Sequence, residues 1–499
     1  MPEHFTVFPD QHLDNHPHYY PANRADKISS PCRAALLKSY FSVVHLSYPI
    51  LDEEEFDDKN ASAILLASMY ALAHPFCPKA QKVNPWQFLD FNGSAIPLEA
   101  RSAKLETVAA ALLYSQRHTY VFRAPTMPGL TAEIGSLVGM SHDVGLNVDP
   151  TLWNIPDSEK RWRKRLWWAV HMQDKWTALT LGRPSYLNDD QSSVPMVTLS
   201  DFGIDSHHET PSNSTGHVVA AQMFIAMAEL SVVLSRILST FYTIKAVHSF
   251  RDNPDSDKIV ETLAAHLRGQ LDDWHRNHLL AINIHPQTFP DPTGSLYLAY
   301  YTTDIILCRA VLRNHTSQVA RERGTTMVLN VLEFVRSLRV NRLRAFWWSL
   351  SKVNFAIAGS FMLSMLLISG GDEEAEVWIS HIKEYQTLLR EQSVGFDVTR
   401  LASIRMNLLS KVGKRDEEST AADGGGTPDP VAAYFDQVEA LNSALLGQEQ
   451  MPNEDSNSTN SFMRQNPMAV DPSMDTGNLD WLADLTFMDE LGDQWIASE

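Results

Sequence analysis

Residues 141–195 read SHDVGLNVDPTLWNIPDSEKRWRKRLWWAVHMQDKWTALTLGRPSYLNDDQSSVP, and they contain a helix end, a helix start and a second helix end in that order. Gly145 suits the left-handed position that follows a helix, with Leu146 packing back in a Schellman-type cap. Asp157 is a good N-cap for the next helix, which a Gly-Arg-Pro sequence closes. The stretch therefore predicts one long helix over 157–181, bounded by two turns.

The predicted helix has one face that is rich in indoles. The side chains along that face are Trp162, Leu166, Ala169, Gln173 and Trp176, with Trp168 and Met172 further round. Because burying an indole contributes a few kcal/mol, we expect at least one of Trp162, Leu166 and Trp168 to belong to the core. The helix is thus predicted to hold the fold together rather than to perform chemistry.

The first turns of this helix contain the basic run KRWRKR, residues 160–165. A DNA-contacting patch or a nuclear-import signal is one interpretation of so dense a cluster. We favour the other, a solvated helix face with Trp162 pointing inward. The side chains expected to point outward are Lys160, Arg161, Arg163 and Lys164.

The whole stretch resembles the middle homology region of fungal binuclear zinc-cluster transcription factors. In that family a Gly-Leu-x-x-Asp-Pro turn precedes a helix containing Arg-Arg-Leu-Trp-Trp, then an Asp and a closing Gly-Arg-Pro. The matching residues are Gly145, Leu146, Asp149, Pro150, Arg165, Leu166, Trp167, Trp168, Asp174, Gly182, Arg183 and Pro184. Lys164 stands where the family has its first Arg. Upstream, the aromatic helix, His and Pro-Ile of residues 40–50 resemble the family's entry motif.

Arg183, inside the Gly-Arg-Pro exit, is expected to bond orphan carbonyls at the helix end or to pair with a carboxylate such as Asp174 or Asp189. We favour this structural clamp. Contact with a small ligand is the alternative, because the resemblance extends to proteins thought to sense small molecules through this region.

The segment NDDQSSVPM, residues 188–196, superficially resembles a magnesium-diphosphate motif of terpene synthases, another all-α family. That chemistry needs Asn, Ser and Glu at i, i+4 and i+8 on one helix face, so that their oxygens converge on the cation. Asn188 and Ser192 fit, but Met196 replaces the acid and Pro195 breaks the helix. No hydrolase elbow, Walker loop or dinucleotide fingerprint is present. We therefore predict that the chain is not an enzyme.

Three cysteines, Cys32, Cys77 and Cys308, lie far apart among the 499 residues. A binuclear zinc cluster needs six closely spaced thiolates, so the sequence departs from the family here. No cofactor is expected in this chain, and zinc is expected only if a cysteine cluster lies upstream. So few cysteines fit a reducing, intracellular compartment. The sequence shows neither a signal-peptide pattern nor an unbroken apolar run of about 18 residues, so no membrane contact is expected.

The net charge of −19 is unevenly distributed. Residues 420–499 contain fifteen acids and one base, Arg464, which gives this tail a net charge of −14. An acidic body with a more acidic tail has little direct affinity for phosphate backbones. We therefore expect that this chain alone does not bind DNA specifically.

The fold class is predicted to be all-α, because helical periodicity recurs and no segment shows sustained two-residue alternation. Residues 1–32 are predicted to be a disordered lead-in and 33–413 a large all-α regulatory domain, with a division near 205–216 as an alternative. Residues 414–478 are predicted to be a flexible linker compatible with a short helix near 431–446, and 479–499 an acidic activation segment. The helices expected after the first are 60–73, 101–123, 130–143, 157–181, 217–246, 257–279, 294–315, 325–340, 343–368, 374–392 and 399–412.

Large apolar and acidic side chains alternate along the C-terminal segment. The apolar positions, spaced 4, 3, 3 and 4 residues apart, are Trp481, Leu485, Met488, Leu491 and Trp495. This pattern is typical of acidic activation segments, which stay unfolded until a hydrophobic groove on a partner orders them as a helix. A C-terminal helix docked on the body is the alternative.

The resemblance and the tail together imply a nuclear transcription regulator, an activator of a fungal metabolic pathway or secondary-metabolite gene cluster. Its expected partners are coactivator or mediator-type proteins at the tail, and a DNA-bound partner or a second copy of the chain. DNA would be reached only indirectly or through an upstream module. The competing class is a small-molecule-binding or enzymatic all-α protein, which a deep pocket with convergent polar groups would favour.

Overall fold

The computed structural model describes residues 24–117, 129–204, 214–251, 253–282 and 289–418, and within these ranges every regular element is a helix. The α-helices are α1 (Arg24–Ser29), α2 (Arg33–Ser39), α3 (His45–Ser47), α4 (Ala63–Ala73), α5 (Trp86–Glu99), α6 (Leu105–Ser115), α7 (Leu130–Asp143), α8 (Asp157–Leu181), α9 (Ser214–Phe241), α10 (Ile244–Arg251), α11 (Ser256–Trp274), α12 (Gly294–Asn314), α13 (Gln318–Arg336), α14 (Val340–Leu343), α15 (Ser351–Leu367), α16 (Asp372–Ser393) and α17 (Asp397–Glu418). Two π-helical turns are Tyr40–Val44 and His275–Leu279. The all-α prediction is confirmed.

The helix prediction is most accurate around the glycine-capped turns. Both α7 and α8 have the predicted bounds, although Pro156 rather than Asp157 occupies the N-cap of α8. Asp157 instead lies in the first turn of α8, where its negative charge interacts favourably with the positive end of the helix dipole. Most of the other predicted helices are present with shifted ends.

The structure differs from the predicted organisation at three places. Within the predicted lead-in 1–32, residues Arg24–Ser29 form α1, which packs on α4 and α5 with Ala25 only 1% exposed. Helix α5 was not predicted at all. The predicted helix 217–246 is two helices, since α9 ends at Phe241 and α10 begins at Ile244. Residues 1–23 lie outside the described part of the chain.

Helix α8 lies at the centre of the packing. It contacts α6, α7 and α9, and the Trp176 indole N–H donates to Ser231 Oγ of α9 at 2.8 Å. Buried apolar residues from Ala25 to Met406 form a single cluster, so the described helices do not divide near 205–216. Within α9, residues Gly216–Phe241 are long and apolar enough to cross a membrane, but 67% of that window is buried inside the fold, as in a core helix.

The loop at 344–350 joins the two ends of the helical body. The predicted helix 343–368 is wrong here, because α15 begins only at Ser351. Ser47 donates to the Phe346 carbonyl at 2.7 Å, and its own carbonyl accepts from the Trp348 indole at 3.0 Å. Ser349 donates to the Ser115 carbonyl at 3.1 Å. The C-terminal helices are thereby bonded to the start of the domain.

Candidate functional site

Glycine caps end both α7 and α8. Gly145 has φ 67° and Gly182 has φ 59°, left-handed values that cost an L side chain about 1 kcal/mol. After α7, the Leu146 N–H donates to the Ser141 carbonyl at 2.9 Å, and the equivalent bond after α8 is 3.1 Å. Both ends are therefore Schellman caps, the first of them as predicted.

The turns that follow these two caps are bonded to each other. Asp149 accepts from the Thr151 N–H at 3.0 Å and from its hydroxyl at 2.6 Å, which fixes the Asp-Pro turn. The Asp149 N–H donates to Ser193 Oγ at 3.0 Å, and the Ser193 N–H donates to the Asn147 carbonyl at 3.0 Å. The sequence motif thus brings its first and last segments together.

Asp174 organises the loop that follows the Gly-Arg-Pro exit. Its carboxylate is 1% exposed and accepts the Ser185 hydroxyl at 2.5 Å, with the Tyr186 N–H at 2.9 Å and the Leu187 N–H at 3.1 Å. A buried carboxylate with three donors is well satisfied. Asp174 therefore holds the loop against the middle of α8.

Lys175, the next residue of α8, secures the same loop. Its side chain is 4% exposed, and its ammonium donates to Ser185 Oγ at 2.8 Å, to the Leu187 carbonyl at 2.6 Å and to Asp189 Oδ1 at 3.0 Å. All three N–H donors are used. The paired Asp and Lys form a polar clamp inside the apolar core.

Asp189 extends this clamp to α9. One oxygen lies 3.2 Å from His171 Nε2, and the other accepts the Ser235 hydroxyl at 2.6 Å. Partial burial by itself raises the pKa of Asp189, but the hydrogen bonds from His171 and Ser235 and the Lys175 ammonium outweigh it and hold the pKa well below its usual range. The carboxylate is therefore ionised and binds both helices.

Arg183 does not have the predicted role. Its side chain is exposed and forms no ion pair with Asp174 or Asp189 in the described part of the chain. Its contribution to the cap is a backbone N–H, which any residue except proline supplies. Pro184 beside it is also exposed. The buried cation that pairs with Asp189 is Lys175, which the sequence analysis did not single out.

The basic run 160–165 is bonded into the fold rather than free. Each cation has a carboxylate partner; the pairs are Lys160–Asp157, Arg161–Glu55, Arg163–Glu159, Lys164–Asp201 and Arg165–Asp52. Arg163 was predicted to point outward, but it is 8% exposed and also donates to the Val144 carbonyl at 2.8 Å. The run is thus neither a solvated face nor a free basic patch.

The last residue of this run and the two tryptophans that follow it are buried residues of the motif. Trp167 is 3% exposed and Trp168 8%, and the Trp168 indole donates to the Pro195 carbonyl at 2.8 Å. Arg165 is 3% exposed and donates to the Leu51 carbonyl at 3.5 Å, which lies just after the entry motif. Of the three residues among which at least one was expected in the core, Leu166 and Trp168 are buried and Trp162 is partly buried.

The segment 188–196 has no metal-binding geometry. Asn188 caps a single 3₁₀ turn, Asp189–Gln191, by accepting the Asp190 N–H at 3.1 Å, so its oxygen and that of Ser192 do not share a helix face. Among the described residues no group of three or more His, Cys, Asp or Glu side chains could hold a metal ion.

One polar connection of this region was missed by the sequence analysis. Gln116 is fully buried, donates to Gln173 Oε1 at 2.7 Å and accepts the Ser349 N–H at 3.1 Å. Gln173 on the inner face of α8 indicated that some partner was needed, but not which one. The activation segment 479–499 lies outside the described residues, so the placement of its apolar stripe stays a prediction.

Comparison with known proteins identifies the class to which this motif belongs. Residues 37–276 match the family described as the fungal specific transcription factor domain. The chain is 26% identical over 455 residues to the transcriptional activator protein DAL81 of Saccharomyces cerevisiae, covering 78% of this chain and 45% of that protein. It is also 26% identical to an uncharacterised transcriptional regulatory protein of Schizosaccharomyces pombe, over 76% of this chain and 57% of that one. The acetamidase regulatory protein of Emericella nidulans is 27% identical over 41% of this chain and 25% of its own length.

The chain spans about half the length of the curated relatives that it matches over most of its own length. No solved structure matches it. The matched family segment contains α8, both glycine caps and the Asp-Lys clamp. Residues 37–276 thus match a fungal specific transcription factor domain, and the relatives named above are described as transcriptional regulators rather than enzymes.

Proposed function

We propose that this protein is a nuclear transcription activator of a fungal metabolic pathway or secondary-metabolite gene cluster. The helical body is its regulatory domain, and residues 479–499 recruit coactivator or mediator-type proteins. The observation that carries the proposal is the tail itself: Trp481, Leu485, Met488, Leu491 and Trp495 form one helical stripe within a region of net charge −14.

The body's electrostatics support an indirect route to DNA. Every cation of the densest basic run of the domain, 160–165, is paired with a carboxylate, so phosphates would have to compete with those carboxylates for it. We infer that DNA is reached through a DNA-bound partner, a second copy of the chain or a module upstream.

A reporter experiment tests the activating role of the tail. Residues 431–499 are fused to an unrelated DNA-binding domain, and transcription from its binding site is measured. The fusion should activate, and the triple variant Trp481→Ala, Leu485→Ala, Met488→Ala should lose most of that activity because it removes the apolar contacts of a docked helix.

The matched control changes three polar positions off the stripe, Asn478→Ala, Thr486→Ala and Gln494→Ala, and should keep activity. A silent intact fusion, or full activity in the stripe variant, would contradict the proposal.

The names of the relatives motivate the choice of pathway type, because one of them is an acetamidase regulator and another a cutinase transcription factor. Transcript profiling of a strain that lacks this gene tests the point. Reduced transcripts confined to one catabolic gene set or one contiguous cluster would support it, and an unchanged profile under all nutrient conditions would count against it.

A further inference from the structure

The turn between α1 and α2 presents a serine hydroxyl at the surface. Ser30 and Pro31 are both exposed there, and the Cys32 N–H donates to the Ser29 carbonyl at 2.8 Å to close the turn. Because a proline disfavours the α conformation at the residue before it, the backbone at Ser30 is biased towards the extended form. An exposed hydroxyl on extended backbone is the substrate that a protein kinase binds.

Three serine or threonine residues of the chain are followed by proline, and they are Ser30, Thr210 and Thr427. Proline has no backbone N–H, so a kinase pocket without an acceptor takes proline and leaves any other residue with an unpaired donor. Kinases of the cyclin-dependent class also select a cation two residues after the proline. Arg33 stands at that position after Ser30, whereas Asn213 and Pro430 stand there after the two threonines. The sequence therefore distinguishes Ser30 from the other two.

The helices on either side of Ser30 are basic, although the chain as a whole has a net charge of −19. Residues 24–51 contain one acid, Asp26, and four cations, which are Arg24, Lys27, Arg33 and Lys38. Asp58 reaches this region from the loop before α4 and pairs with Arg33 at 3.2 Å. The neighbouring acids of that loop pair with cations of α8 and α9; these acids are Asp52, Glu53 and Glu55. A phosphate at Ser30 thus has more cations than acids on its own two helices.

Arg33 is the cation that a phosphate at Ser30 engages. Its Nη1 lies 2.9 Å from Asp26 Oδ1 and its Nη2 lies 3.2 Å from Asp58 Oδ2, while its Nε is buried and has no hydrogen-bond partner. A guanidinium holds a phosphate through two N–H groups, and the unpaired Nε supplies one of them. The phosphate therefore competes with the two carboxylates for the second.

We propose that Ser30 is phosphorylated by a proline-directed kinase of the cyclin-dependent class, and that the phosphate loosens α1 from α2. In the transfer step Ser30 Oγ forms a bond to the γ-phosphorus of ATP. The bond between that phosphorus and the leaving oxygen of ADP breaks, and the hydroxyl proton passes to the catalytic base of the kinase. The products are phosphoserine and ADP.

The phosphate acts on the Asp26–Arg33 pair, which ties α1 to α2. It draws the guanidinium away from Asp26, and it stands four residues after Asp26, where two negative charges repel each other. Helix α1 has six residues, so opening it locally costs far less than unfolding the body. The same local opening lets the kinase reach Ser30.

A kinase assay on the purified full-length chain tests the site. The chain is incubated with MgATP and a kinase of the cyclin-dependent class, and mass spectrometry locates the phosphate, separating Ser30 from Ser29 within the tryptic peptide 28–33. We expect Ser30 to be phosphorylated about tenfold faster than Thr210 or Thr427, the effect of one additional charge-assisted contact. Pro31→Ala should abolish the reaction at Ser30. Phosphate on Ser29, or a rate unchanged by Pro31→Ala, would overturn the proposal.

The matched control is Asn213→Arg, which gives Thr210 the pattern that Ser30 has. Phosphorylation of Thr210 should rise about tenfold in this variant. A chain phosphorylated at Thr210 and not at Ser30 would show that the kinase is active and that the turn excludes it, which overturns the proposal. Protein purified from its host cells should also carry phosphate at Ser30, and its absence in every growth condition would overturn a role in the cell.

Hydrogen exchange measures the effect on α1. After kinase treatment the amides of 24–29 should exchange roughly fivefold faster, as expected for the loss of one partly exposed ion pair. The amides of α7 should be unchanged, and Ser30→Ala treated in the same way should show no change at α1. Equal exchange at α1 with and without the phosphate would overturn the loosening. None of these measurements depends on transcriptional output, so they remain valid whichever result the reporter fusion gives.

Discussion

At the scale of the residue, two neighbours in one motif have unequal roles. Arg183 and Lys175 are both cations near the end of α8, yet Lys175 is buried with three acceptors and Arg183 is exposed. Helical geometry explains the difference, because Lys175 faces the returning loop while Arg183 follows the left-handed glycine and turns away. Spacing in a motif does not reveal which of two cations the fold buries.

Replacing Lys175 with Met should therefore lower the free energy of unfolding by about 2–4 kcal/mol, since Asp189 loses its ammonium partner and the Leu187 carbonyl loses one of its donors. Arg183→Ala should change it by no more than about 0.5 kcal/mol, because the cap uses the backbone. Urea unfolding at pH 7 measures both. A larger loss for Arg183→Ala than for Lys175→Met would contradict this assignment.

At the scale of the element, local chemistry explains which helices the sequence predicts well. The bounds of α7 and α8 follow from glycine caps that act within a few residues. Helix α5 was missed because Gly93 and Pro97 lie inside it, both of which are poor helix formers. Loop 344–350 differs from the predicted helix because its backbone and side chains bond to the distant residues Ser47 and Ser115, which local sequence does not reveal.

As with the helices, the local features of the candidate site were predictable from the sequence and its long-range contacts were not. Its glycines, tryptophans and Asp174 follow from the motif, whereas Lys175 and Gln116 depend on partners that lie on a returning loop or on another helix. Sequence alone indicates that Gln173 needs a partner and cannot name one.

Two glycine substitutions should change the free energy of unfolding in opposite directions. Gly182→Ala should lower the free energy of unfolding by about 1 kcal/mol, because φ 59° disfavours a Cβ. Gly139→Ala, inside α7 with nothing within 4 Å of the new methyl, should raise it by about 0.5–1 kcal/mol. Thermal melts of the two variants provide the comparison, and a stabilising Gly182→Ala would show that the cap is not strained by a side chain.

At the scale of the whole molecule, charge and burial determine how the protein responds to its surroundings. The body is a single helical cluster whose dense basic run is already paired, and the net charge is −19. Purified protein should accordingly give no sequence-selective DNA complex below about 1 μM. Mobility shifts over a random-sequence library measure this, and selective enrichment by the chain alone would disprove it.

Acid should destabilise the body through His45. Burial lowers its pKa to about 3, with His217 and Arg165 adding to the effect, against about 6.5 in the unfolded chain. Above pH 6.5 His45 is neutral in both the folded and the unfolded chain and does not affect stability. Below pH 6.5 the unfolded chain binds the proton first, so the free energy of unfolding falls by about 1.4 kcal/mol per pH unit until the pH reaches the pKa of the folded state. His45→Leu should reduce the slope of the free energy of unfolding against pH between pH 6.5 and 5, because the variant takes up about one proton fewer on unfolding. Denaturant titrations at several pH values test this, and parallel curves for the two proteins would refute it.

The bonds between Ser47 and the 344–350 loop have a genetic consequence. An allele with a premature stop codon between 277 and 340 would encode the entire family-matched segment, 37–276, yet lack the loop that covers Ser47 and the end of α6. We expect its product to be degraded rather than to persist as a partial regulator. Such alleles should be recessive, with no dominant interference in a heterozygous diploid, and immunoblots should show the truncated chain at a small fraction of the normal level.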